Sequence, residues 1–222
     1  VTVKGDTKGR PFTLTATDTS AGSVTAATTT AATGPNHWDN AQNWDRAGVA
    51  AVPVAAADIF IDSTAGDILY ALAQAGTTYL SMTISNTYTD TIGLPERNPN
   101  NYVEYRAQYL AIDVTTLNIG DDNGTGSGRI KINAGTVATT LNVRNTGTGL
   151  DTDLPALIWK GTNATNVVNV DAGSVGVAIL GGETATVTTL RVQTSPGLVP
   201  ADVRLGSGVT LTTAAGPVAA RH

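Results

Sequence analysis

The sequence predicts an all-β protein, folded as a short right-handed parallel β-helix with an extended N-terminal arm. The first reason is composition: threonine, alanine, glycine and valine dominate the 222 residues and only 5% are aromatic, which suits thin β layers better than thick helical cores. The second is a strand motif that recurs through the later part of the chain. The third is the set of turns between its copies, which combine asparagine or aspartate with glycine, as corners with positive φ require.

The recurring motif is a leucine or valine, any residue, and then a β-branched residue, usually preceded by threonines. It occurs at 80–84, 115–119, 139–143, 166–170, 188–192 and 209–211. The steps from Leu117 through Leu141, Val168, Leu190 and Val209 are 24, 27, 22 and 19 residues, each close to one coil of a β-helix. We therefore expect stacked coils whose inward side chains include Leu117, Ile119, Leu141, Val143, Val168, Val170, Leu190 and Val192.

The alternative fold is a β-sandwich of Greek-key or jelly-roll type, which also has short strands at regular spacing. Sandwich strands rarely share one motif in the same phase. The repeat therefore favours the β-helix.

The pattern divides the chain into four segments: an arm over 1–34, a region with a cap, the first strands and a projecting loop over 35–110, the β-helix coils over 111–216 and a tail over 217–222. The arm alternates threonine with small apolar residues and has too little apolar area to fold alone. The loop is expected over 86–110, where the motif is interrupted.

Two tryptophans six residues apart, Trp38 and Trp44, precede the first strand. In a solenoid such residues are expected to cap the first coil, since an end coil must cover its apolar interior. If both were exposed, they would instead indicate stacking on sugars.

Charge and composition argue against several classes of partner. The net charge of −5 and a pI near 4.8 argue against binding nucleic acid, which needs a basic surface. No apolar run approaches the roughly 20 residues needed to span a bilayer, so no membrane association is expected. Cysteine is absent, which excludes disulfides and thiolate metal sites.

No catalytic, metal or cofactor site is predicted. Polysaccharide-cleaving enzymes use clustered carboxylates, but aspartates in glycine-rich turns usually serve local hydrogen bonds. The segment 121–128 lacks the spaced ligands of a calcium loop, and the chain has only two histidines. The aspartates considered are Asp121, Asp122, Asp151 and Asp153.

Six basic residues occupy strand positions flanked by apolar residues, and this alternation predicts that they point outward. The ordinary role for such residues is a solvated face. The functional alternative is an interface that docks on an acidic neighbour. These candidate interface residues are Arg129, Lys131, Arg144, Lys160, Arg191 and Arg204.

Several motifs resemble an uncharacterised group of β-solenoid virion proteins encoded by tailed phages, prophages and some bacterial genomes. The resemblance covers roughly residues 9–213. The motifs are Gly34-Pro35-Asn36-x-Trp38-x-Asn40-Ala41-x-Asn43-Trp44, Ile92-Gly93-Leu94-Pro95, Tyr102-x-Glu104-Tyr105-Arg106, Ser127-Gly128-Arg129-Ile130-Lys131-Ile132, Trp159-Lys160-Gly161-Thr162-Asn163-Ala164 and Gly181-Gly182-Glu183-Thr184-Ala185-Thr186.

The resemblance implies a context and assigns no catalytic residues. It implies a non-catalytic component of a virion or extracellular surface, such as a capsid decoration protein, a head fibre or a fibre module. Such proteins commonly work as symmetric homo-oligomers, trimers in particular, bound to other subunits such as a capsid protein. The alternative function is a carbohydrate-binding or carbohydrate-cleaving β-helix of the tailspike kind, with a glycan as its partner.

Overall fold

The computed structural model describes residues 33–94, 109–120, 129–146, 154–193 and 201–216. In these residues the chain is all β apart from one short 3-10 turn, Ala41–Asn43. The strands are β1 (Asp45–Arg46), β2 (Val49–Ala50), β3 (Asp58–Ile61), β4 (Ala73–Ile84), β5 (Leu110–Ile119), β6 (Ile130–Asn133), β7 (Thr140–Val143), β8 (Leu157–Lys160), β9 (Val167–Val170), β10 (Ser174–Val177), β11 (Ala185–Val192), β12 (Asp202–Leu205) and β13 (Val209–Ala215).

Apart from the small antiparallel pair β1 and β2, the strands stack in parallel along two faces of a solenoid. Face A consists of β6, β8, β10 and β12, and face B of β3, β7, β9, β11 and β13. The longer strands β4 and β5 run along both faces, since β5 pairs with β6 through Leu110 and with β7 through residues 116–119. The predicted parallel β-helix is confirmed.

The interior of face B consists of two apolar ladders that cross successive coils. All but one of their members are at most 5% exposed, and Val192 packs partly buried against the same core. The inward positions predicted from the repeat are confirmed. The ladders are Ile59, Met82, Leu117, Leu141, Val168 and Leu190, and beside them Ile61, Ile84, Ile119, Val143, Val170 and Val192.

Face A contributes the opposite wall of the same core. Trp159 is fully buried in register between Ile132 of β6 and Val177 of β10, and it belongs to the same apolar core as the face B ladders. A second ladder runs through Ile130, Leu157, Val175 and Val203.

The predicted last step of the repeat is wrong. Val209 pairs with Ala185, and the residue in register with Leu190 is Ala214, so the last step is 24 residues (190 to 214) and not 19. Alanine has too little apolar bulk to mark an inward position in the sequence. The bulkier Val209 and Leu211 therefore indicated a register that the strand does not have.

The predicted projecting loop over 86–110 is wrong at both of its ends, since its last residue, Leu110, is fully buried and begins β5. Ile92 lies in the wall of the solenoid, where it forms parallel bridges to Ile68 and Ile130. Tyr88 is buried and its hydroxyl lies 3.1 Å from the carbonyl oxygens of both Gly66 and Thr91. The rest of that segment, 95–108, lies outside the described residues, as do the arm up to residue 32 and the tail over 217–222.

The two tryptophans lie together at the first coil. Trp38 is buried in the core, and its ring meets that of Trp44 edge to face with 4.7 Å between the centroids. The Trp44 indole Nε1 donates to the Trp38 carbonyl oxygen at 2.6 Å. Trp38 also packs against Tyr79 of β4, so the pair covers apolar residues of the first coils.

Candidate functional site

The six basic residues of the candidate interface do not share one surface. Four belong to face A or to its ends, namely Arg129, Lys131, Lys160 and Arg204, and two belong to face B, Arg144 and Arg191.

The prediction that Lys131 is exposed is wrong. The residue lies on the outer side of β6, but only 3% of it is exposed, and its Nζ donates to the Leu94 carbonyl oxygen at 3.0 Å. The backbone at Leu94 therefore covers this part of face A. Alternation along a strand determines the direction of a side chain, whereas exposure also depends on what packs outside.

Lys160 belongs to a compact cluster on the outside of face A. Its Nζ lies 2.9 Å from Glu183 Oε1 and 4.2 Å from the centre of the Tyr109 ring. The Tyr109 hydroxyl donates to Glu183 Oε2 at 2.9 Å, and the Leu180 amide donates to the same oxygen. These contacts fasten the chain at Tyr109 to the turn at Glu183, which is a structural role.

The other two face A residues are also held within the chain. Arg204 contacts Asp202 through Nε and a terminal nitrogen, both at 3.2 Å from the carboxylate. Arg129 is half-buried, and its carbonyl oxygen accepts from the Ile92 amide. On face A, the charged groups of Lys131, Lys160 and Arg204 therefore lie against acceptors of the same chain.

The outer surface of face B carries a ladder of asparagines that the sequence-based prediction missed. Asn142 Nδ2 donates to Asn118 Oδ1 at 3.0 Å, and Asn169 Nδ2 donates to Asn142 Oδ1 at 2.8 Å. Arg191 continues the row and donates to Asn169 Oδ1 at 3.3 Å. The signal was present, because the middle residue of the motif is asparagine in three successive copies.

A second outward row follows the ends of the same strands. Arg144, Asp171 and Gln193 occupy equivalent positions after β7, β9 and β11, and the guanidinium of Arg144 lies 3.3 Å from the Asp171 carboxylate. The two rows line a shallow open depression, which we call the amide–guanidinium site. Its polar residues are Asn142, Arg144, Asn169, Asp171, Arg191 and Gln193.

The terminal coil is the second candidate. Among the described residues β12 pairs only with β10, and β13 pairs only with β11. The apolar residues of the coil are only partly covered: Val203 and Leu211 are half-buried and Leu205 is 37% exposed. Their counterparts one coil earlier, Val175, Val177 and Val187, are at most 1% exposed. We call this coil open because, among the residues that the structure describes, no further strand pairs with the outer edges of β12 and β13.

The aspartates considered as catalytic candidates lie outside the described residues: Asp121, Asp122, Asp151 and Asp153. Within the described ranges no group of three or more histidines and acidic residues is placed to hold a metal ion. In the same ranges no helix is long and apolar enough to cross a membrane.

Comparisons with protein-family models, with curated proteins and with solved structures found no match to this chain.

Proposed function

We propose that the chain is a non-catalytic structural protein of a phage virion or a similar surface assembly, acting as a capsid decoration protein, a head fibre or a fibre module. In this proposal it works as a homo-oligomer, a trimer, on the outside of the particle. The open terminal coil is the observation that carries the proposal.

In a monomer, an open coil is energetically unfavourable, because it exposes apolar side chains and unpaired strand edges to water. Solenoids usually end in a coil with a polar outer side, and free strand edges are normally covered or blunted. Here β13 leaves its apolar side half-buried at Val209 and Leu211, and within the described ranges no strand pairs with the outer edges of β12 and β13. Contact with another subunit would bury these groups, and the chain would gain stability from assembly.

The composition of the outer surface is consistent with this role. Only 14% of the chain is charged, and several large apolar side chains of the first coils lie at the surface. Exposed apolar groups of this kind are commonly buried between subunits. They are Val49, Val54, Phe60 and Leu80.

The strand-like arm over 1–34 supplies the proposed attachment to the particle. Its alternation of threonine with small apolar residues fits pairing with an edge strand of another subunit, such as a capsid protein.

Light scattering on the full chain tests the assembly. We expect a mass three times that of the 22.6 kDa chain. The substitution Leu205→Lys places a charge on the open coil and should raise the dissociation constant at least about tenfold, because an apolar contact is lost and a charge is desolvated. Ala55→Lys is the matched control, since Ala55 is exposed and is not among the apolar side chains proposed to be buried between subunits.

Two results would contradict the proposed assembly. One is a monomer at every concentration tested, and the other is an oligomer that Leu205→Lys leaves intact. The non-catalytic part has its own test, incubation with acidic and neutral bacterial polysaccharides. The appearance of reducing ends or unsaturated products, abolished by changing Asp121, Asp122, Asp151 or Asp153, would refute it.

A further inference from the structure

We propose that the amide–guanidinium site on face B binds an acidic glycan through its carboxylate or sulfate groups. This is a binding function in addition to the structural role, and it does not depend on the oligomeric state.

Hydrogen-bond donors outnumber free acceptors in the site. In the ladder, Asn142 and Asn169 each use their side-chain oxygen and one N–H for bonds to neighbours, which leaves each amide a second N–H that bonds to none of the described residues. Arg191 uses one of its five donors on Asn169, within the described part of the chain. The site therefore offers many donors, and the ligand that it fits is rich in acceptors.

The charge of the site favours an anion. Among the described residues that line the site, Arg144 pairs with Asp171, and Arg191 adds a positive charge that contacts an amide oxygen and no carboxylate. The Asp171 carboxylate already accepts from Arg144 and is mostly covered, so it holds that guanidinium in place. A local positive excess in a chain of net charge −5 selects for an anionic group, and guanidinium groups bind carboxylates and other oxyanions well.

The polar lining of the site indicates the class of ligand. Protein interfaces usually have an apolar or aromatic centre, and sites for single-stranded nucleic acid use aromatic side chains for base stacking. The side chains that line this depression are polar apart from Val143, which belongs to the core. Donors that recur with each coil, about 4.8 Å apart, fit a hydrophilic polymer whose acceptors also recur.

Isothermal titration calorimetry on the full chain at low salt tests the proposal. The probes are an oligogalacturonate, a sulfated galactan oligomer and a neutral galactan oligomer of equal length. We expect saturable binding of at least one acidic oligomer, weakened by salt, and no measurable binding of the neutral one. The acidic oligomer that binds identifies the recognised group.

Substitutions locate the binding to this site. Arg144→Ala and Arg191→Ala should each weaken binding about tenfold, as loss of a charged hydrogen bond predicts. Arg204→Ala on face A is the matched control and should change affinity less than about twofold. Circular dichroism of each variant verifies that the solenoid is folded.

Three results would overturn the proposal. The first is equal binding of acidic and neutral oligomers, or of none of them. The second is a loss of affinity in Arg204→Ala as large as that in Arg191→Ala. The third is tighter binding of a single-stranded oligodeoxynucleotide than of either acidic glycan.

Discussion

Neighbouring residues of face B have opposite roles because strand side chains alternate between the two sides of the wall. Leu141 fills the interior ladder and is fully buried, whereas Asn142, the next residue, bonds to Asn118 and Asn169 outside. The Asn142 bonds add directional contacts between coils that are already held by backbone pairing. Stability is therefore expected to depend far more on the inward residue than on an outward one.

The substitution Leu141→Asp should lower the free energy of unfolding by at least about 4 kcal/mol, because it removes a packed side chain and buries a charge. The control is Thr140→Asp, whose side chain points outward and is half-buried, with an expected cost below about 1 kcal/mol. Urea unfolding measures both values. Similar costs for the two variants would show that the assigned inward register is wrong.

Tyr88 gives the protein a pH dependence at alkaline pH. Burial raises the pKa of its phenol well above the ordinary value of 10.0, and the nearby carboxylates of Asp67 and Asp90 raise it further. In the unfolded chain the phenol ionises near pH 10, whereas in the folded protein it stays neutral to higher pH. The contribution of Tyr88 to stability is thus complete below about pH 10 and is lost as the pH rises toward the folded pKa.

The substitution Tyr88→Phe should cost about 1 kcal/mol at pH 7 through the lost hydroxyl contacts. It should also reduce the slope of stability against pH above pH 10, where one fewer group ionises on unfolding. Urea unfolding at pH 7, 10 and 11 provides the measurement. Parallel pH curves for the two proteins would rule out a shifted pKa at Tyr88.

The turns between strands are specified by close approach of neighbouring coils. Gly120 follows β5 with φ of 74°, and a Cβ atom there would overlap the Asn145 carbonyl oxygen of the next coil. Gly48 between β1 and β2 has a similar φ of 83°, but a Cβ atom at Gly48 would meet no other atom within 4 Å among the described residues. A comparison of the two glycines therefore separates two costs of adding a side chain, namely backbone strain at positive φ and steric overlap with the next coil.

Gly120→Ala is expected to destabilise the protein by more than about 2 kcal/mol, since it combines strain at positive φ with a backbone clash. Gly48→Ala should cost only about 1 kcal/mol, the contribution of the φ angle alone. Thermal unfolding of the two variants gives the comparison. Equal effects would mean that the coils do not approach closely at Gly120.

The sequence predicted the strands whose inward positions are marked by their own bulky residues. The bulky residues of the repeat, such as Leu117 and Leu141, marked their own inward positions and the coil spacing. Ala214 carried no such signal, so the last register was missed. The burial of Lys131 depends on Leu94, which is far away in sequence, and no strand pattern reports such a contact.

The candidate sites were predictable to different degrees. The asparagine ladder could have been found from the sequence, because Asn118, Asn142 and Asn169 occupy the same position of the motif. Its continuation by Arg191, and the pairing of Arg144 with Asp171, required the register of the coils. The open coil could not be predicted, since exposure of a last coil depends on the packing of the whole chain.

As a whole molecule, the chain is a solenoid whose two ends differ. Trp38 and Trp44 cover apolar residues of the first coils, while the coil of β12 and β13 is open among the described residues. The amide–guanidinium site lies on the outer side of face B. In the proposed assembly the open end is buried between subunits, and face B remains available to a ligand.

The most direct test of the central claim is a density map of the assembled protein by electron cryomicroscopy. The proposed assembly predicts three copies about a symmetry axis, with a neighbouring subunit covering the free edges of β12 and β13 and burying Leu205. A map of monomers, or of an oligomer in which the terminal coil stays exposed to solvent, would contradict the claim.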